Sequence, residues 1–113
     1  MSHARWKHLR ERKLAVGYSE PDDVTDARRE IRLSMALAKA VYDRRTELGL
    51  TQTELAERTG LTQAKVSRIE GSDTVPTLPL LAKLADALDA TLSIALDADD
   101  TRVHFISHHT DAA

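Results

Sequence analysis

Gln63, Ala64, Ser67 and Arg68 are the residues of this 113-residue chain whose types and spacing could do chemistry together. On a helix, Val66 and Ile69 claim one face, and these four share the other. Such a set suits the edges of base pairs in a DNA major groove. A glutamine amide can bond bidentately to adenine, an arginine guanidinium to guanine, and an alanine methyl can meet that of thymine. Other chemistries find less support. Serines and histidines occur, but no glycine-flanked nucleophile, paired-carboxylate spacing or phosphate loop accompanies them, so no enzyme is expected. The chain has no cysteine, which removes disulfides, thiol catalysis and Cys-bearing zinc sites. His104, His108 and His109 lie on an alternating stretch and a tail without matching carboxylates, so neither metal nor cofactor is expected.

Base-reading side chains need two short helices held at a fixed angle, and the residues before them supply that. Thr51-Gln52-Thr53-Glu54 has the form of a capping box, with Leu50 and Leu55 spaced as its hydrophobic staple. The helix it starts runs to Arg58 and stops at Gly60. Thr62 caps the next, with Leu61 and Val66 as a second staple, and that helix ends near Gly71. Counting Gln52 as the first position, Ala56 is the fifth, where a small side chain lets the helices approach. Gly60 is the ninth, in the turn. Leu55, Leu61, Val66 and Ile69 take the core-facing fourth, tenth, fifteenth and eighteenth positions. The window 52–71 reads as a helix-turn-helix.

The flanks extend this unit. Ser19-Glu20-Pro21-Asp22 reads as a helix start, and Val24, Ala27, Ile31, Met35, Ala38 and Val41 recur at three- and four-residue steps. That predicts one helix of roughly 28 residues to Leu48, about 42 Å long. A small bundle needs less, so part of it should protrude or meet a partner. Thr77 caps a further helix carrying Pro79, Leu80, Leu81, Leu84, Ala85 and Leu88. Gly17, Gly49, Gly60 and Gly71 each follow a helical stretch, where a residue at positive φ can end it. Beyond Asp89 the period becomes two: Leu92, Ile94 and Leu96, a turn cluster at 97–100, then Arg102 to Ile106 around Val103 and Phe105. This predicts a strand or hairpin that lies on the helices or pairs with a second chain. Leu92, Ile94 and Leu96 are the expected dimerisation residues. The divisions are a basic arm (1–18), a helical domain (19–90), the strand or hairpin (91–106) and a tail (107–113).

Composition sets the bounds. The chain is 42% hydrophobic and 30% charged, which is globular. Aromatics are only 4%, so the core must come from Leu, Ala, Ile and Val. No apolar run approaches the roughly 18 residues of a membrane span, and the N-terminus is charged where a signal peptide is apolar. A soluble cytoplasmic protein is expected. The net charge of −2 is uneven: residues 1–20 hold five basic side chains against two acidic, residues 97–113 one against four. A uniformly basic binder is excluded; one with a local basic face is not.

The stretch LGLTQTELAERTGLTQAKVSRIE, Leu48 to Glu70, resembles the Xre family, the Cro and phage-repressor type of helix-turn-helix protein. With its flanking helices the likeness covers about Ala36 to Leu88. It implies a mainly α fold, with the helix from Thr62 to Gly71 in the major groove. By the same resemblance Gln63, Ala64 and Arg68 look like base readers, with Ser67 on their face, and Arg44, Gln52 and Lys65 look like phosphate contacts. Arg45 and Glu70 look like a structural ion pair. Gly71 departs from the family, which often has a phosphate-contacting asparagine there. The ending LDATLSIALDADDTRVHFI is similar to the C-terminal strand or hairpin of HipB- and HigA-type antitoxins, as is the order of basic arm, long helix, helix-turn-helix and VPTLPLLAKLADALDA. That implies a homodimer on a palindromic operator of double-stranded DNA, a RelE-like ribonuclease toxin as partner, and repression of its own operon. Trp6 and Leu9, at i and i+3 on the arm, are the candidate toxin anchors. The alternatives are a free-standing repressor of the same family, and an interaction adaptor that does not read DNA.

Overall fold

The computed structural model describes residues 22–97 and 99–108. Among these residues four helices, α1 (Asp22–Glu47), α2 (Gln52–Thr59), α3 (Gln63–Glu70) and α4 (Leu78–Ala87), precede an antiparallel hairpin of β1 (Ala90–Leu96) and β2 (Thr101–Ser107). The fold is mainly helical with a C-terminal hairpin. The expected cap at Ser19, the arm 1–18, Trp6 and Leu9 lie outside the described residues, as does Gly17.

The helix ends are written locally. Thr51 Oγ1 accepts from Glu54 N at 3.0 Å while Thr51 N donates to Glu54 Oε1 at 3.0 Å, closing the capping box. Its carboxylate is held below its ordinary pKa of 4.5 by those bonds to Thr51, the backbone one first. Thr62 and Thr77 cap α3 and α4 through their hydroxyls. At the end of α1, Gly49 sits at φ 72, Gly49 N donates to Thr46 O and Leu50 N to Arg45 O, which seats Leu50 in the core. Gly71 corrects the expectation of a left-handed glycine, for its φ is −87. The left-handed residue is Ser72, at φ 64; Ser72 N donates to Ile69 O and Asp73 N to Arg68 O. The same helix-ending pattern is thus used one residue later than the glycine. At Gly71 a Cβ would stand 3.2 Å from Ser67 O, so a close approach favours glycine there.

Leu37, Val41, Leu55, Val66, Ile69, Leu84 and Leu88 form the centre of the core, where all four helices meet. Ala56 is buried, which lets α2 and α3 approach. Among the described side chains of α1, every buried one lies at Ser34 or later, so the first three turns extend past the core.

The hairpin lies on the helices, one of the two arrangements expected of it. Leu92 pairs with Phe105 and Ile94 with Val103, and all four pack half-buried against the helical core. Leu92 and Ile94 thus cover the chain's own helices. Leu96, the third expected dimer residue, is 70% exposed. The strand pairs within the chain. Its partner runs through Ser107, which the sequence places in the tail, and His108 N donates to Asp89 O at 3.1 Å beyond it.

Candidate nucleic-acid interface

α3 offers Gln63, Ala64, Ser67 and Arg68 on one exposed face, because Val66 and Ile69 are fully buried on the other. Lys65 is half-buried beside them. What the sequence does not reveal is how Gln63 is aimed.

The aim starts at a buried charge. Arg45 Nε donates to Glu70 Oε2 at 2.7 Å and Arg45 Nη2 to Glu70 Oε1 at 2.9 Å, with both side chains nearly buried. Arg45 Nη1 reaches Leu50 O at 2.7 Å, and the Tyr42 ring centroid lies 5.3 Å from its Cζ. The Glu70 hydrogen bonds raise the Arg45 pKa against the opposing effect of burial. Glu70 Oε1 also accepts from Gln52 Nε2 at 3.1 Å, and Gln52 Oε1 accepts from Gln63 Nε2 at 2.7 Å.

The polarity of this chain follows from its origin. A carboxylate only accepts, so Gln52 must turn its amide nitrogen to Glu70 and its oxygen to Gln63. Gln63 must then donate to Gln52, which uses one hydrogen of its amide. Its oxygen and the second hydrogen remain, one acceptor and one donor side by side. That is the pair adenine matches with its N6 donor and N7 acceptor. Three side chains from three helices orient a fourth. Gln52, expected at a phosphate, is thus first a link in this network, keeping one amide hydrogen.

Arg44 corrects another expectation. It is 5% exposed: Nε donates to Leu88 O at 2.9 Å and Nη2 to Asp89 O at 3.1 Å, while Nη1 pairs with Glu47 at 2.9 Å. Nη2 also reaches Ser107 Oγ at 3.4 Å. It is no phosphate contact, because its donors are committed to the carbonyls at the C-terminal end of α4, where unpaired acceptors favour a cation. Arg44 fastens α1 to α4 and to the end of the hairpin. A one-residue difference in phase, about 100°, separates it from Arg45, and both arginines turn inward.

Ser34 Oγ donates to Ser72 O at 2.8 Å, holding the loop after α3 against α1. Glu54 and Glu57 on α2 are exposed and dilute the positive charge of Lys65 and Arg68. Among the described residues, no helix is long and apolar enough to cross a membrane.

A helix-turn-helix family model, HTH_3, matches residues 41–94, which span the end of α1, α2–α4 and most of β1. A curated relative from Haemophilus influenzae, named as an uncharacterized HTH-type transcriptional regulator, is 41% identical over 66 residues, covering 58% of this chain and 67% of its own. The chain belongs to the HTH_3 helix-turn-helix family. A similarly named protein of Methanothermobacter thermautotrophicus is 44% identical over 48 residues, 42% of this chain and 70% of its own. Among solved structures, the clp gene regulator ClgR from C. glutamicum superposes with a TM-score of 0.51 at 32% identity, over 52% of this chain and 77% of that one. An HTH_3 family transcriptional regulator from Vibrio cholerae gives 0.53 at 27% identity, over 55% of this chain. This chain spans only 35% of that protein's length. The family match thus takes in the whole of α2 and α3.

Proposed function

We propose that this chain is a sequence-specific DNA-binding transcriptional regulator that lays α3 in the major groove. Gln63 and Arg68 read base edges, Ala64 and Ser67 fit beside them, and Lys65 holds a phosphate. The observation that carries this reading is the Arg45–Glu70–Gln52–Gln63 chain, which leaves Gln63 with one donor and one acceptor facing outward. A scaffold surface has no use for an amide held in that sense. The names of the relatives, HTH-type transcriptional regulators, support the same reading.

One such helix covers few base pairs, so the chain acts as a homodimer on a palindromic site with half-sites roughly 34–36 Å apart. Each strand of the hairpin has one edge without a strand beside it among the described residues, and Leu96 stands exposed at its turn end. That is the surface we assign to the second copy. Gel shifts test the reading: preference for the chain's own promoter over random DNA is expected, and equal binding to both would refute it.

The finer reading is an antitoxin of a type II pair, restraining a RelE-like toxin and repressing the shared operon. The likeness of the C-terminal hairpin sequence to HipB- and HigA-type antitoxins supports it. A free-standing regulator is the second reading, favoured by the names of the relatives. Co-expression with the product of the adjacent gene separates them: co-purification supports the antitoxin, and its failure the free regulator.

A further inference from the structure

The first turns of α1 and the turn of the hairpin both reach past the core, and a groove opens between them. One hollow, of about 470 Å³, is lined by Arg29, Glu30, Leu33, Val75, Leu96 and Asp97. A second, of about 240 Å³, lies between Ile31 of α1 and the loop 72–75. Glu30 and Val75 line both, so the two run together. The floor is apolar: Leu33 and Val75 are half-buried, and Leu96 closes the hairpin end.

The walls are acidic. Glu30 and Asp73 are exposed and make no ion pair among the described residues, and Asp97 stands at the hairpin end. Arg29 is the cation among the described lining residues. Arg28 and Arg32, each two residues from Glu30, stand about 160° round α1 from it. Arg102 lies on the outer face of the hairpin and pairs with Asp100 at 2.7 Å. Three carboxylates against one guanidinium select a basic occupant, and the floor selects one with apolar anchors. Residues 1–16 of the chain hold five basic side chains against one acidic, with Trp6 and Leu9 three residues apart. They lead into α1, and Glu30 lies eight residues beyond Asp22, about 12 Å along the helix. Fifteen residues separate Trp6 from Asp22, a reach of up to about 50 Å, so the groove is well within range. A segment tethered in this way meets its site at an effective concentration of about millimolar order. Another protein or a second copy has to compete with that.

We propose that this groove seats the chain's own basic arm, residues 1–16, with arm cations against Glu30 and Asp73 and the Trp6 indole over Leu33 and Val75. The seated arm lies against the loop following α3, which Ser34 fastens to α1 through Ser72 O. The strand edges assigned to a second copy take no part. A partner that uses Trp6 and Leu9 must first displace them from the groove. The inference stands whether or not the chain binds DNA.

Trp6 is the chain's single tryptophan, so its fluorescence reads the arm directly in the full chain. Acrylamide, a neutral quencher, should quench wild-type Trp6 at least about twofold less than in the urea-unfolded chain, because the seated state dominates. That shielding should not change on dilution. The double variant Glu30→Lys/Asp73→Lys should raise quenching to the unfolded level while its circular dichroism stays that of the folded chain. Glu57→Lys/Asp86→Lys makes the same change of charge on α2 and α4, and should leave Trp6 as in wild type. Four results would each overturn the proposal: wild-type Trp6 quenched as in the unfolded chain, shielding kept by the Glu30/Asp73 variant, equal loss in both double variants, or shielding that fades on dilution, as contact with a second copy does.

Discussion

Gln63 Nε2 donates to Gln52 Oε1 across 2.7 Å, from the first turn of α3 to the first turn of α2. Because Gln52 is itself turned by Glu70, this bond fixes which end of the Gln63 amide is acceptor and which is donor. Gln52→Leu removes the link and frees the amide to flip. Discrimination for adenine at the position Gln63 reads should fall by about 1–3 kcal/mol, with random-DNA affinity nearly unchanged. Competition gel shifts against base-substituted sites measure it; a uniform loss on all DNA would mean that Gln52 serves only a phosphate.

The Arg45–Glu70 pair should behave as a buried charge pair. Arg45→Ala leaves the Glu70 carboxylate, 5% exposed, without its counter-charge. A loss of about 3–5 kcal/mol is expected in urea unfolding. Replacing both partners by apolar residues of similar size should cost far less, and the same denaturation series reads both. Equal losses would show that packing, not charge, holds the helices there.

Arg44 gives the opposite signature to a DNA contact. Arg44→Met uncovers the carbonyls of Leu88 and Asp89 and loosens the hairpin from α1. It should cost about 2–3 kcal/mol of stability. The folded fraction should bind DNA with unchanged affinity and salt dependence; a shallower salt slope would return Arg44 to the phosphates.

Much of the fold is legible in the sequence because its signals are local. Thr51 with Glu54, Thr62 and Thr77 announce helix starts through hydroxyls that bond amides three residues on. Leu55, Val66 and Ile69 announce the core by their period. The alternation of Leu92 and Ile94 announces a strand, but not what covers it: an apolar face looks the same whether its neighbour is α4 or a second chain. Arg44 and Arg45 are adjacent, and only the packing of α4 and the hairpin beside one, and Glu70 beside the other, separates their roles. Gln52 and Gln63 are eleven residues apart, and no periodicity links them. Ser72 takes the left-handed turn because the glycine before it is needed for close approach to Ser67 O.

The capping box carries a pH dependence. The folded pKa of Glu54 is depressed, so its stabilisation of α2 is complete above the ordinary value of 4.5 and is lost as pH falls through the lower folded value. Wild type and Glu54→Ala should differ most in urea unfolding near neutrality and converge in acid. A gap independent of pH would show that the carboxylate charge plays no part.

The reading of α3 as a base-reading helix is tested most directly by comparing Arg68→Ala with Lys65→Ala. Both are titrated on the chain's own promoter and on random DNA at the same salt. Arg68→Ala should lose about 1–3 kcal/mol on the promoter and little on random DNA, relaxing sequence choice, while Lys65→Ala should weaken both DNAs alike and lower the salt slope by about one. If the two variants weaken both DNAs equally, Arg68 does not read bases and the assignment of the α3 face is contradicted.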